Sequence, residues 1–137
     1  MKIEFSLINN REDYLWINNL ATLDIVCSDG EATEILVDDI LSTYSLKEVP
    51  LVLNKLISKL KRGGVIVLYF VDIEIMAKML TLGSITFEMF NDTLTGAQPI
   101  KTFLETDFVV DILNKNNIKI TKTHFKTFTS IIVGEYQ

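Results

Sequence analysis

The alternation of polar and apolar positions marks out one unit before any other. Glu34-Ile-Leu-Val-Asp-Asp-Ile-Leu is an apolar run carrying a pair of carboxylates near its end. Between Ser45 and Leu60, the residues Val49, Val52, Leu53, Leu56, Ile57 and Leu60 recur at spacings of three and four. That period predicts a helix with a single apolar stripe. Lys47, Asn54, Lys55, Ser58 and Lys59 fall largely outside the stripe. Ser45 with Glu48 fits a capping box, and Pro50 delays regular hydrogen bonding to about its own position. Lys59, Lys61 and Arg62 place positive charge at the helix C-terminus, and Gly63 or Gly64 can take the left-handed cap conformation. Val65 to Val71 is uncharged, rich in β-formers and too short for a helix, so it predicts a central strand ending at Asp72. Strand, helix and strand form a βαβ unit, the crossover that parallel strands need, and both strands read as buried on two faces.

The remaining pattern extends from this unit in both directions. Lys2-Ile-Glu-Phe-Ser-Leu-Ile alternates, with Ile3, Phe5 and Leu7 on one side and Lys2, Glu4 and Ser6 on the other, as in a half-buried strand. Asn9-Asn10 is a turn. Asp13 to Leu20 predicts a short helix, Leu23 to Cys27 a short strand, and Ser28-Asp29-Gly30 a turn or helix start. Beyond Asp72, Ile73 to Leu82 predicts a helix stopped by Gly83, and Ser84 to Thr93 a second helix capped by Ser84. Leu94 to Pro99 is a loop. A further helix starts at Thr106 or Asp107 and ends at Asn116-Asn117. Two strands, through Ile118 and Ile120 and then Ile131 to Val133, close the chain.

The strand ending in acidic residues, the acidic-led helix, Leu53…Leu56…Leu60-Lys-Arg-Gly-Gly and the apolar strand ending in Asp72 resemble the second half of a class I S-adenosylmethionine-dependent methyltransferase. The similarity continues to the C-terminus, where Asn117 to Lys126 and Thr127 to Tyr136 match a closing hairpin. The resemblance implies an α/β, Rossmann-like methyltransferase fold: one domain over residues 1–137, a mostly parallel sheet with a C-terminal antiparallel hairpin, and helices on both faces. It also implies S-adenosylmethionine as cofactor. A full member begins with a strand, a Gly-rich turn and a helix, then a second strand ending in an acidic residue. The glycines admit the methionine part of the cofactor, and the acidic side chain accepts the ribose hydroxyls. This chain departs from that pattern: Asn9-Asn10-Arg11 stands where the glycines would be, and the stretch before Glu34 has room for only one or two strands and one short helix.

The resemblance implies cofactor contacts from Asp29, with Gly30 beside it, because the family often places an acidic residue before strand four to meet the adenine amine. Read from the residues, Asp29-Gly30 is a turn. Asp38 and Asp39 stand at the carboxyl end of a strand, where open α/β sheets bind ligands. They can bind a cation or receive a proton, or they form a solvated strand end that caps the next turn. Asp72 and Tyr44 are substrate-side candidates; the alternatives are a cap for the following helix and a packing aromatic. His124 reads as a surface or edge-strand residue, and no catalytic base or nucleophile stands out.

Composition narrows the functional classes. The chain has 137 residues, 48% hydrophobic and 23% charged, which suits one compact domain with a core. A net charge of −5 argues against a nucleic-acid backbone as partner. One cysteine, Cys27, excludes an intrachain disulfide, and one cysteine with one histidine disfavours a zinc site. No signal peptide or apolar run long enough to span a membrane is present, so the expected compartment is the cytoplasm. The abridged N-terminal half leaves sheet surface to be covered, which predicts a homodimer. Two functions follow: a methyltransferase-like enzyme with an unidentified acceptor, or a non-catalytic binding or assembly module built on the same fold. A small-molecule ligand is compatible with both.

Overall fold

The parallel unit at the centre forms as β3 (Ala32–Asp38), α2 (Glu48–Ser58) and β4 (Leu60–Val71) of a computed structural model, which describes residues 1–96 and 99–137. Ser45 and Glu48 exchange both hydrogen bonds of the capping box, at 3.0 and 3.3 Å. The stripe of α2 buries Val49, Val52, Leu53, Leu56 and Ile57. The helix ends earlier than its sequence suggests, and Lys61-Arg62-Gly63-Gly64 belong to β4. Ala32 pairs with Leu60, but the next pair is Glu34 with Val65, so the glycines absorb a break in strand register. Gly63 has φ +78°, and a Cβ on Gly64 would lie 2.8 Å from the Lys61 carbonyl and 3.1 Å from that of Ala32.

The N-terminal quarter reverses two expectations. After β1 (Lys2–Ser6), the segment expected to be helical contains strand β2 (Leu15–Ile17), and the expected strand is helix α1 (Leu20–Val26). Leu15, Trp16 and Ile17 find parallel partners in Ile3, Glu4 and Phe5, an outcome set by pairing that the local pattern does not contain. Asn19, a poor helix-interior residue, is the N-cap of α1 and accepts from the Thr22 amide at 3.0 Å.

The C-terminal half follows its pattern more closely: α3 (Ile73–Thr81), α4 (Phe87–Leu94), α5 (Thr106–Lys115), β5 (Ile118–Lys126) and β6 (Thr129–Tyr136). Thr86, in place of Ser84, caps α4 through the Met89 amide. Asn117, at φ 61°, turns the chain out of α5. Ala97 and Gln98 of the predicted 94–99 loop lie outside the described residues.

The six strands form one sheet in the order β2-β1-β3-β4-β6-β5. The first four are parallel, and the final hairpin is antiparallel. Ile3, Phe5, Ile35, Val37, Ile66, Leu68, Phe70 and Ile132 point to one face and share a core with Leu23 of α1, Leu53 and Leu56 of α2, and Val109 and Leu113 of α5. The opposite face carries a separate set of residues. Its residues include Leu36, Val65, Val67, Tyr69, Ile131 and Val133, and none of them belongs to that core. Over β1 and β3 this second face is covered by the connection between β1 and β2. The alternation in β1 therefore misleads: Glu4 and Ser6, on its polar side, are buried.

Candidate functional site

The chain leaves β1 toward β2 on one side and returns through α1 to β3 on the other. The carboxyl ends of β1 and β3 thus flank a topological switch point, where open α/β sheets bind ligands. Here that crevice contains side chains of the protein itself. The Arg11 guanidinium pairs with Glu4 and with Asp38, both at 3.2 Å. Glu4 is fully buried, and its carboxylate also accepts from the Ser6 hydroxyl at 2.8 Å and from the amides of Asn10 and Arg11. The guanidinium lies 5.8 Å from the centre of the Tyr69 ring. Next along the connection, Tyr14 packs beside Lys2, and burial followed by the influence of Glu34 pushes its hydroxyl up to about 12. Sequence reading missed Arg11 as a functional position. Its only signal was the company of a strand carboxylate, Glu4, which the alternation assigns to solvent.

Asp38 and Asp39 stand together at the carboxyl end of β3 but face different surroundings. Asp38 takes the Arg11 pair. Asp39 has φ 51°, its amide donates to the Tyr69 carbonyl at 2.9 Å, and its side chain faces a cavity of about 280 Å³. Ser42, Val71, Ile73, Leu94 and Phe103 also line this cavity, so its wall is mainly apolar. Burial, and secondarily the charge of Asp38, push the Asp39 carboxyl up to about 6.

The sign of this shift gives a prediction. An unfolded Asp titrates near pH ~4, so between about pH 4 and 6 the folded state holds this proton more tightly and loses stability as pH rises. Asp39→Asn removes the charge and keeps a residue type tolerant of positive φ. It is expected to stabilise the protein by about 1–2 kcal/mol at neutral pH, after discounting for partial exposure, and by little near pH ~4. Urea unfolding of both proteins across that range checks this; an equal offset at all pH values would contradict it.

Asp72 occupies a structural position. Nearly fully buried, it caps α3 by accepting from the Ile75 amide at 3.0 Å. Its other oxygen accepts from the Thr106 amide at 2.8 Å and the Thr106 hydroxyl at 2.6 Å. Of its two readings the cap is the one formed, and it ties two helices rather than one. Tyr44 is half-buried, with its ring centre 6.3 Å from that of Phe5, so it is a packing aromatic. Asp29 and Gly30 precede β3 and lie at its amino end, a strand's length from Asp38 and Asp39. The four candidates for cofactor contact are therefore not brought together. Asp29 instead accepts from the Lys59 ammonium at 2.7 Å, and Gly30, at φ 74°, donates its amide to Ser58. His124 is exposed on β5. Among the described residues no group of three or more His, Cys, Asp or Glu is placed to hold a metal ion, and no helix is long and apolar enough to cross a membrane.

No family model and no curated protein matches the sequence. Solved structures do match in fold. One is the magnesium protoporphyrin IX methyltransferase (ChlM) of Synechocystis PCC 6803 with bound SAH, with a TM-score of 0.59, 16% identity and coverage of 90% of this chain and 51% of that one. An O-methyltransferase family protein from Burkholderia thailandensis gives 0.62 at 10% identity, over 90% and 35% of the two chains. The fold is methyltransferase-like. The PH0226 protein of Pyrococcus horikoshii OT3 superposes with a TM-score of 0.63 at 12% identity, over 91% of this chain and 60% of that one. The chain thus spans between about a third and three fifths of the length of these structures.

The glycine-rich turn that the resemblance implies is absent from the sequence between β1 and β2. The connection from Leu7 to Tyr14 contains no glycine, and its arginine bridges β1 and β3. Strand β2 is followed by Asn18 and Asn19, with no carboxylate at its end to accept ribose hydroxyls.

Proposed function

We propose that this chain is a methyltransferase-like binding module in which the ordinary cofactor crevice is closed. One observation carries the reading: Arg11 spans the switch point and pairs with Glu4 on β1 and Asp38 on β3. A ligand entering there has to displace a cation from a fully buried carboxylate, which costs several kcal/mol before any contact is gained. A ligand position that stays open among the described residues is the cavity beside Asp39. Its apolar wall and single carboxylate suit a small, largely apolar molecule carrying one hydrogen-bond donor or cationic group. Calorimetric titration of S-adenosylmethionine and S-adenosylhomocysteine into the purified chain tests the proposal. Neither heat nor thermal shift is expected at millimolar ligand; micromolar binding would overturn it.

The second reading is a small methyltransferase that binds S-adenosylmethionine by another route. The Asp39 cavity favours it, because it sits at the carboxyl end of β3, next to the crevice where a methyl donor would have to lie. Micromolar binding in the same titration, abolished by filling the cavity with Ser42→Trp, would support this reading over the first.

A further inference from the structure

The second face of the sheet is divided into a half crossed by the chain and a more open half, in which Ile131 is buried. The Leu7–Tyr14 connection crosses the β1 and β3 half, held there by Arg11 on Glu4, Asp38 and Tyr69 and by Tyr14 beside Lys2. On the other half, Val65 and Val67 of β4 and Val133 of β6 are half-buried beside their strand neighbours, and none of them belongs to the core cluster. Cross-strand pairs share a face, so Lys122 and Lys126 of β5, opposite Val133 and Thr129, stand on this same side. Both are exposed, and neither forms an ion pair among the described residues. The covered half carries the opposite charge: Glu12 and Asp13, exposed between the two anchoring residues of the connection. The face is thus a raised half with exposed Glu12 and Asp13 beside a lower, valine-lined half edged by Lys122 and Lys126, with Glu135 exposed at the amino end of β4.

We infer that this face binds a second copy of the chain, through a two-fold axis running along the strands near the β3–β4 boundary. Such an axis lays the order β2-β1-β3-β4-β6-β5 over its own reverse. The connection of each copy then sits over the valine stripe of the other. Glu12 and Asp13 come to Lys122 and Lys126 of the partner, twice by symmetry. Shape and charge are both self-complementary under this operation. The other two-fold axis in the plane, perpendicular to the strands, sets lysine edge against lysine edge and is disfavoured by repulsion. The inference does not depend on whether the switch-point crevice binds a cofactor.

Sedimentation equilibrium of the full chain over a range of concentrations tests it. A dimer is expected, with a dissociation constant that rises with salt. The charge reversal K122E/K126E is expected to raise that constant at least tenfold. Because it alters only exposed side chains, circular dichroism should show an unchanged fold. Combining it with E12K/D13K should restore dimerisation, whereas E12K/D13K alone should weaken it. Val67→Lys should abolish association as well. A chain that stays monomeric at high concentration overturns the inference. So does a dimer indifferent to both charge reversals, which would point to a different surface, or a dimer weakened by each reversal but not rescued by the combination.

Discussion

Asp72→Ala is expected to lower the unfolding free energy by about 3–5 kcal/mol, the largest single-residue effect outside the apolar core. The estimate adds the loss of an N-cap, about 1 kcal/mol, to the loss of two hydrogen bonds accepted by a charged group, each about 1.5–3 kcal/mol, with allowance for non-additivity. The site gives little room for water to replace the carboxylate, because Asp72 is 3% exposed. Its surroundings explain why the loss should spread. The Asp72 amide donates to Phe128 in the turn of the closing hairpin, the Ile73 amide donates to Leu104, and the Thr106 hydroxyl also reaches Ser130 at 2.9 Å. The Asp72 side chain therefore joins the end of β4 to the starts of α3 and α5, and its own amide and the Thr106 hydroxyl carry the tie on to the hairpin. Thr106→Ala removes one of these bonds and should cost about 1.5–3 kcal/mol. Asp72→Asn keeps only one acceptor oxygen and should fall between the two. Urea denaturation of the three variants checks the order; an Asp72→Ala protein within ~1 kcal/mol of the parent would show that the carboxylate is not the tie described.

Arg11→Ala should cost about 2–4 kcal/mol. This is below the full range for breaking a buried pair, because the guanidinium keeps 30% of its exposure. The origin is the partner left behind: Glu4 retains its negative charge under the sheet connection, next to Asp38, with the cation gone. Two further variants separate this from simple loss of packing. Arg11→Met keeps much of the stem and should be nearly as destabilised. Adding Glu4→Gln to Arg11→Met should recover more than half of the loss, since the amide still accepts from the Asn10 and Arg11 backbone. If the double variant is no better than Arg11→Met, the charge account fails. The same pair of proteins bears on function. Should the closed crevice alone exclude S-adenosylmethionine, the double variant is where weak binding would first appear.

The parts legible in the sequence are those whose cause is local. The stripe on α2, the capping box at Ser45, the uncharged run of β4 and the hairpin all follow from period and turn chemistry. The misplacements have tertiary causes. Leu15-Trp-Ile is a strand because β1 offers it an edge, and Asn19 is a boundary because the chain turns there to recross β1. Lys61-Arg62-Gly63-Gly64 has the composition of a helix stop but serves a break in register between β3 and β4. At the site, Asp38 and Asp39 were legible as a strand's carboxyl end. Arg11 was not, because its partner Glu4 sits on the side of β1 that alternation gives to water. Asp29 was assigned by position in the resembled family; the strand that follows it, seven residues long, separates it from the site.

The strand directions also place the start of β1 and the end of β6 on one edge of the sheet. Lys2 opens β1 at the amino edge of the parallel strands, and the antiparallel β6 returns its last residues to that same edge, with Glu135 opposite Val65. Arg11 and the Asp39 cavity lie at the other edge. A segment attached before Lys2 or after Glu135, whether a tag, a label or a further domain, would therefore hang from the rim farthest from Arg11 and the Asp39 cavity.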